Sequence, residues 1–250
     1  DIIHSFWLQE CAVFGRKLSV KYGRPILLNA VGQDALPEHN RYLRKVRNWQ
    51  LPTTCLSLFH KTVLERAGYK DVQVIEWGHA PLTIQAEKSF DLVCAGNLTL
   101  LKNPVYFIDI CEKVAQKRPN LRALLIGDGP LRTEVESQIK LRGLQQNVQL
   151  AGQLGYTDAL QKIAQSRVLI HASHFESFGM VLTEALALGT HVFSAPVGIA
   201  FSEELMHKMT RDSVQDTALV MTLLEADDAP VKTYPIAETV AHIIARYKTL

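Results

Sequence analysis

The run Phe175-Glu176-Ser177-Phe178-Gly179-Met180-Val181-Leu182-Thr183-Glu184-Ala185-Leu186-Ala187-Leu188-Gly189-Thr190 decides the fold. It follows an apolar, β-branched stretch, Val168-Leu169-Ile170-His171-Ala172, that reads as a buried strand. Gly179 opens an apolar helical run, and Gly189 is placed to close it. A strand-to-helix turn of this kind leaves backbone N–H groups without intrahelical acceptors, here around Phe178 to Val181, at the positive end of the helix dipole. That is an anion site, and phosphate is its usual occupant. Glu176 falls in the turn and Glu184 about one turn inside the helix.

Glu184 needs a partner. From Met180 to Leu188 only Thr183 and Glu184 are strongly polar, so the helix reads as buried nearly all round. A lone carboxylate in such a setting is costly unless something satisfies it. Sugar or ribose hydroxyls are good partners, because they donate to an ionised carboxylate. The dipole alone also favours an acid near a helix N-terminus. The two acids and the turn, taken together, favour a ligand.

Working outward, strand-like and helix-like runs alternate. Ile26 to Val31 reads as a buried strand, Phe59 to Ala67 as a helix and Val72 to Ile75 as a strand. Gly78-His79-Ala80-Pro81 and the polar stretch Gln85 to Ser89 read as a linker. A second series begins at Phe90: strands Asp91–Gly96, Leu121–Ile126, Val148–Ala151, Val168–Ala172 and His191–Ser194. Between them lie helices over Pro104–Lys117, from Pro130 to about Arg142, Thr157–Ala164 and the run holding Glu184. Pro130 is suited to the first helical position after Gly127-Asp128-Gly129. Helices are also expected over Ser213–Glu225 and from Tyr234-Pro235 to Leu250. Repeated β–α units of this length imply parallel, doubly wound sheets.

At 250 residues the chain can bury one large or two modest cores. A net charge of +2 does not suggest a nucleic-acid partner. No apolar run is long enough to span a bilayer. Cys11, Cys55, Cys94 and Cys111 are widely spaced without a Cys-x2-Cys pair, which argues against a structural zinc site and for reduced thiols in a cytoplasmic protein. His171 and His174 sit three apart, a spacing that turns strand-end rings to opposite faces rather than onto one metal. Arg41, Arg44, Lys45 and Arg47 form a short basic cluster that suits either a solvated helix face or peripheral contact with anionic headgroups at the inner face of a membrane.

The Glu-x7-Glu pattern, with Ser177-Phe178-Gly179 after its first acid and Glu184-Ala185-Leu186-Ala187-Leu188-Gly189 at its end, resembles the retaining, nucleotide-sugar-dependent glycosyltransferases of family 4. The resemblance covers Phe90 to about Gly198 and extends less closely over Asp1 to Trp77. It implies an α/β, GT-B-like fold of two Rossmann-like parallel-sheet domains. Residues 1–80 would form an incomplete N-terminal, acceptor-side domain, because the family's opening strand and glycine-rich loop are not found before Asp1. Residues 88–234 would form the nucleotide-sugar-binding domain, and 235–250 a helix packing back on the N-terminal domain through Val240, Ile243, Ile244 and Tyr247.

The implied reaction moves a sugar from a nucleoside-diphosphate sugar to a carbohydrate, lipid or other acceptor with retention of configuration. It uses no further cofactor and no metal. The resemblance makes Glu176 and Lys102 catalytic: Glu176 faces the donor-sugar hydroxyls and Lys102 the diphosphate. The backbone of Phe178, Gly179 and Met180 would hold the diphosphate or sugar, and Glu184 the ribose. Leu154, in Gly152-Gln153-Leu154, would flank the base. Asn97 stands where the family has an arginine, and it carries neither the charge nor the bidentate fork. Gly127-Asp128-Gly129-Pro130 matches a family turn and is expected to be structural. On the acceptor side, His4 and the segment Gly32-Gln33-Asp34 are expected at strand C-termini, with Asp34 as a turn or cap residue or a catalytic one. Val31 occupies the place of a family histidine. The departures at Asn97 and Val31 keep two other readings open: a non-catalytic nucleotide-sugar binder and a GT-B sugar epimerase.

Overall fold

Every strand pairing in the protein is parallel, in two separate sheets. The computed structural model describes residues 1–250. The chain divides into two compact units: Asp1–Ala80 with Glu176–Gly179 and Tyr234–Leu250, and Pro81–Phe175 with Met180–Thr233.

In the first unit, β1 (Ile3–Phe6), β2 (Ile26–Asn29), β3 (Thr53–Cys55) and β4 (Val72–Val74) lie side by side in that order. α1 (Glu10–Tyr22), α2 (Leu43–Arg47) and α3 (Leu58–Arg66) connect them. All four residues of β2 are buried, as a strand covered on both faces requires. Leu8, Ala12, Leu28, Val46, Leu64 and Val72 form its core. On α2, Leu43 and Val46 are buried while Arg44 and Lys45 are exposed. Two members of the basic cluster have partners of their own: Arg41 pairs with Glu10 at 3.0 Å, and Arg47 donates to Asn48 Oδ1 at 2.9 Å.

The last helix, α9 (Ile236–Tyr247), is held in this unit by polar contacts. Thr239 Oγ1 accepts from Gly78 N–H and donates to the Glu76 carbonyl, both at 2.8 Å. Arg246 reaches both carboxylate oxygens of Asp71 at 2.8 Å. The apolar face expected to dock is only partly turned inward. Ile243 and Tyr247 are half-buried, but Val240 and Ile244 are exposed. Thr239 is the buried residue of α9, so the hydrogen-bonded clamp rather than apolar periodicity sets the rotation of the helix.

The second unit has β5 (Phe90–Ala95), β6 (Ala123–Ile126), β7 (Val148–Gly152), β8 (Ser166–His171), β9 (His191–Ser194) and β10 (His207–Lys208). The connecting helices are α4 (Pro104–Lys117), α5 (Arg132–Leu141), α6 (Tyr156–Ala164), α7 (Met180–Ala187) and α8 (Ser213–Glu225). The sheet order is β10-β9-β8-β5-β6-β7. Strands β6 and β7 therefore build outward from one side of β5, and β8, β9 and β10 from the other. The order reverses between β5 and β8, which makes the crevice beyond their carboxyl ends the expected ligand position in an open parallel sheet.

Two local details set this crevice. α5 does not begin at Pro130, as expected, but at Arg132. The Asp128 carboxylate takes the Gly129 N–H at 2.7 Å and the Leu98 carbonyl takes the Leu131 N–H at 2.9 Å, which holds the chain in a turn past Pro130. That turn also needs its glycines. A Cβ on Gly127 would stand 2.0 Å from the Gly96 carbonyl oxygen, and one on Gly129 would stand 2.7 Å from that of Leu98. Both have positive φ, +132° and +155°. The Gly-Asp-Gly-Pro turn is a backbone contact with the loop that follows β5.

Candidate functional site

The loop after β5 carries Lys102 and the loop after β8 carries the first acid of the Glu-x7-Glu pair. Within the second unit these loops are stitched together. The Leu101 carbonyl accepts from the His174 N–H at 2.7 Å and from Ser173 Oγ at 3.1 Å. Arg211, itself at φ 67°, donates to the carbonyls of Ala172 (3.2 Å) and Ser173 (2.8 Å). Asp216, only 1% exposed, fixes Arg211 in turn by accepting from its N–H, from Thr210 and from Tyr106 Oη at 2.6 Å. This chain of contacts ties the loops after β5 and β8 to the segment that leads into α8. The stem of Lys102 lies over Gly96, with Cγ and Cδ 3.9 Å from where a Cβ would stand. Lys102 is half-buried, whereas Asn97 is exposed beside it in the same loop.

α7 behaves as its sequence predicts. Gly179 precedes it at φ 92°, and Gly189 ends it at φ 63° with the Thr190 N–H bonded back to the Ala185 carbonyl at 3.0 Å. Lys88 ties its C-terminus to that of α6, donating to the carbonyls of Gly189 (2.8 Å) and Ala164 (3.0 Å). The two helices therefore lie side by side, and Tyr156 at the start of α6 reaches across. Its hydroxyl donates to Glu184 Oε1 at 2.9 Å. Glu184 is 8% exposed. Burial and the bond to the carboxylate push the Tyr156 phenol up to about 12. Leu154 is half-buried between the end of β7 and α6. Met180, the first residue of α7, is half-buried as well.

The turn residues Glu176–Gly179 count with the first unit. There Ser177 Oγ donates to the Val31 carbonyl at 2.6 Å and Ser57 Oγ donates to the Ser177 carbonyl at 2.7 Å. The Phe178 ring stands edge-on to Tyr234, with 6.3 Å between centroids. Glu176 is half-buried. His171 is buried with Nδ1 3.1 Å from Ser194 Oγ, and His174 is exposed.

One acceptor-side expectation needs correction. His4 is the second of the four residues of β1, not its C-terminal end. Its Nδ1 lies 2.7 Å from Tyr247 Oη, so its ring is committed to α9. Burial lowers its pKa. Asp34, 1% exposed, is a cap: its carboxylate accepts the N–H groups of Leu8 (2.7 Å), Gly32 (2.7 Å) and Val31 (3.2 Å). Burial raises its pKa against the opposing pull of those donors. Tyr156 and Arg211 are the residues that sequence reasoning misses. Tyr156 could be found by its place, one turn past the strand that Leu154 follows. Arg211 has no sequence signal.

Two Rossmann-like parallel-sheet units, one with its switch point lined by a lysine loop and a buried acid, define a GT-B-type protein. Residues 83–210, just over half of the chain, match the family described as glycosyl transferases group 1, and the chain belongs to that family. It is 28% identical over 163 residues to the phosphatidylinositol N-acetylglucosaminyltransferase gpi3 subunit of Schizosaccharomyces pombe, covering 62% of this chain and 35% of that one. It is 35% identical over 100 residues to the Vi polysaccharide biosynthesis protein VipC/TviE of Salmonella typhi, covering 39% and 16%. The chain thus spans no more than 35% of the length of these curated relatives. Among solved structures, Anabaena Alr3699/HepE in complex with UDP superposes with a TM-score of 0.86 at 22% identity, over 100% of this chain and 79% of the other. The lipopolysaccharide outer core galactosyltransferase WaaB superposes at 0.74 and 15% identity, over 100% and 76%. No helix is long and apolar enough to cross a membrane.

Proposed function

We propose that this chain is the donor-binding part of a family 4 glycosyltransferase, which moves a sugar from a nucleoside-diphosphate sugar to an acceptor with retention. The observation that carries the reading is Glu184. It is a carboxylate buried to 8% exposure beside the sheet's switch point, with one side-chain partner and acceptor capacity left. A ribose diol supplies the missing donors. The amides of Phe178 and Gly179, just before α7, and of Met180, its first residue, then face the diphosphate, with Lys102 as its counter-charge. Glu176 faces the donor sugar, and Leu154 flanks the base. The leaving phosphate takes the acceptor proton, and no metal is needed where a lysine and a helix dipole already hold the charge. The relatives named for N-acetylglucosaminyl transfer to phosphatidylinositol and for polysaccharide biosynthesis support a glycolipid or polysaccharide acceptor. They also support work at a membrane surface, where exposed Arg44 and Lys45 suit anionic headgroups.

A second reading, a non-catalytic nucleotide-sugar binder, is favoured by Asn97, exposed and uncharged where the resemblance expects an arginine. Product analysis with nucleotide sugars decides. A transferase joins sugar to acceptor with the donor's anomeric configuration, read by the proton coupling of the product. An epimerase gives an isomer, and a binder gives neither. Inverted product would remove retention, and no binding of any nucleoside diphosphate at millimolar concentration would remove both readings.

A further inference from the structure

We propose that Tyr156 is a positioning residue for Glu184 and so a determinant of ribose recognition, an inference that rests on the nucleotide-binding reading of α7. Tyr156 is 60% exposed, so packing does not account for its place. Its one directed contact is the hydroxyl bond to Glu184 Oε1 at 2.9 Å. No other hydrogen bond to that carboxylate is present in the structure. Glu184 Oε2 is not among the sealed polar atoms that lack a partner, so it keeps an opening toward solvent.

The terminal torsion of a glutamate is broad and roughly two-fold, so an unpartnered carboxylate turns freely. Anchoring Oε1 removes that freedom and presents Oε2 in one orientation. A vicinal diol donates two hydroxyls at fixed separation, so it gains from a carboxylate already held in place. Burial and the neighbouring carboxylate both make the phenol a poorer acid, so its donor proton is held more firmly than in a free tyrosine. Tyr156 belongs to α6 and Glu184 to α7, and the Lys88 clamp at the far ends of both helices keeps the pair in reach.

The test is calorimetry on the full chain with uridine, guanosine and adenosine diphosphates, each paired with its 2′,3′-dideoxy counterpart. Wild type should bind one diphosphate, and its dideoxy form less well. Tyr156→Phe should lower affinity for the ribose form by about three- to tenfold, the range of a single hydrogen bond, and leave the dideoxy form unchanged. In the Glu184→Gln background, Tyr156→Phe should add nothing. Unchanged affinity, an equal loss for both ligands, or tighter binding because the phenol competes with ribose would each overturn the assignment. If the wild-type chain binds none of the diphosphates, the nucleotide-binding reading itself fails, and this inference falls with it.

Discussion

Asp34 and Glu184 are both buried carboxylates in loops or helices that follow a strand, and they could hardly be more differently treated. Asp34 accepts three backbone N–H groups, from Leu8, Val31 and Gly32, and is 1% exposed. Glu184 has one donor, the hydroxyl of an exposed tyrosine, and keeps an open edge at 8% exposure. A carboxylate whose lone pairs are filled by the backbone has become part of the fold, because the donors have no other acceptor. A carboxylate left with acceptor capacity, as Glu184 is, can take further donors, and on the proposed reading a ligand supplies them. Burial alone does not separate the two roles; the count and type of donors does.

The sharpest way to break this contrast is to remove Asp34. Asp34→Ala leaves the buried N–H of Leu8 and the part-buried N–H groups of Val31 and Gly32 without this acceptor and should destabilise the chain by about 2–4 kcal/mol in urea unfolding. A loss under ~1 kcal/mol would mean that the cap carries little. The opposite pattern is expected at Glu184. Glu184→Gln should leave unfolding within ~0.5 kcal/mol of wild type while weakening nucleoside diphosphate binding by ~1.5–3 kcal/mol, the range for a charged hydrogen bond. If stability falls and affinity holds, Glu184 is a second Asp34.

Much of the second unit is legible in sequence because its punctuation is strong. Pro104 sits at the first turn of α4 and that helix ends at Lys117, as read. Asp212 caps α8 through Val214 and Gln215, and β9 spans His191–Ser194 as expected. The first unit is harder. α1 has no side-chain cap, and Phe14 and Val20 on its exposed side blur its periodicity. β3 is a three-residue buried strand, Thr53–Cys55, whose two threonines hide it from any apolar count. The site divides in the same way. The Glu-x7-Glu segment and Lys102 stand out locally, but the partners that fix them do not. Tyr156 lies 28 residues from Glu184, and Arg211 lies 38 from the Ser173 carbonyl it holds. His4 meets Tyr247 across 243 residues. Such contacts belong to the folded topology, and no spacing rule announces them.

Lys102 sharpens the comparison from the ligand's side. Its charge should matter only where phosphate is present. Lys102→Ala is expected to weaken nucleoside diphosphate binding by about 1–2 kcal/mol, less as salt rises, and nucleoside binding by little. An equal loss for both ligands would show that the stem packed over Gly96 holds the loop and that the ammonium group does nothing for phosphate.

Asn97 gives the smallest effect on binding and the most to learn. It is exposed in the loop that carries Lys102, so an arginine placed there keeps much of its hydration. Asn97→Arg should therefore tighten nucleoside diphosphate binding by no more than ~1 kcal/mol, the usual limit for an exposed ion pair. Its effect on rate should be larger. A guanidinium fork aimed at the departing diphosphate acts on charge that grows in the transition state, where a single donor is worth ~10²–10³-fold. The unmodified chain is expected to bind a nucleoside diphosphate and turn over donors slowly or not at all, and the variant to gain more in turnover than in affinity. Robust transfer by the unmodified chain would show that Lys102 and the α7 amides suffice. Tighter binding with no gain in turnover would place the deficit elsewhere and favour the non-catalytic binder.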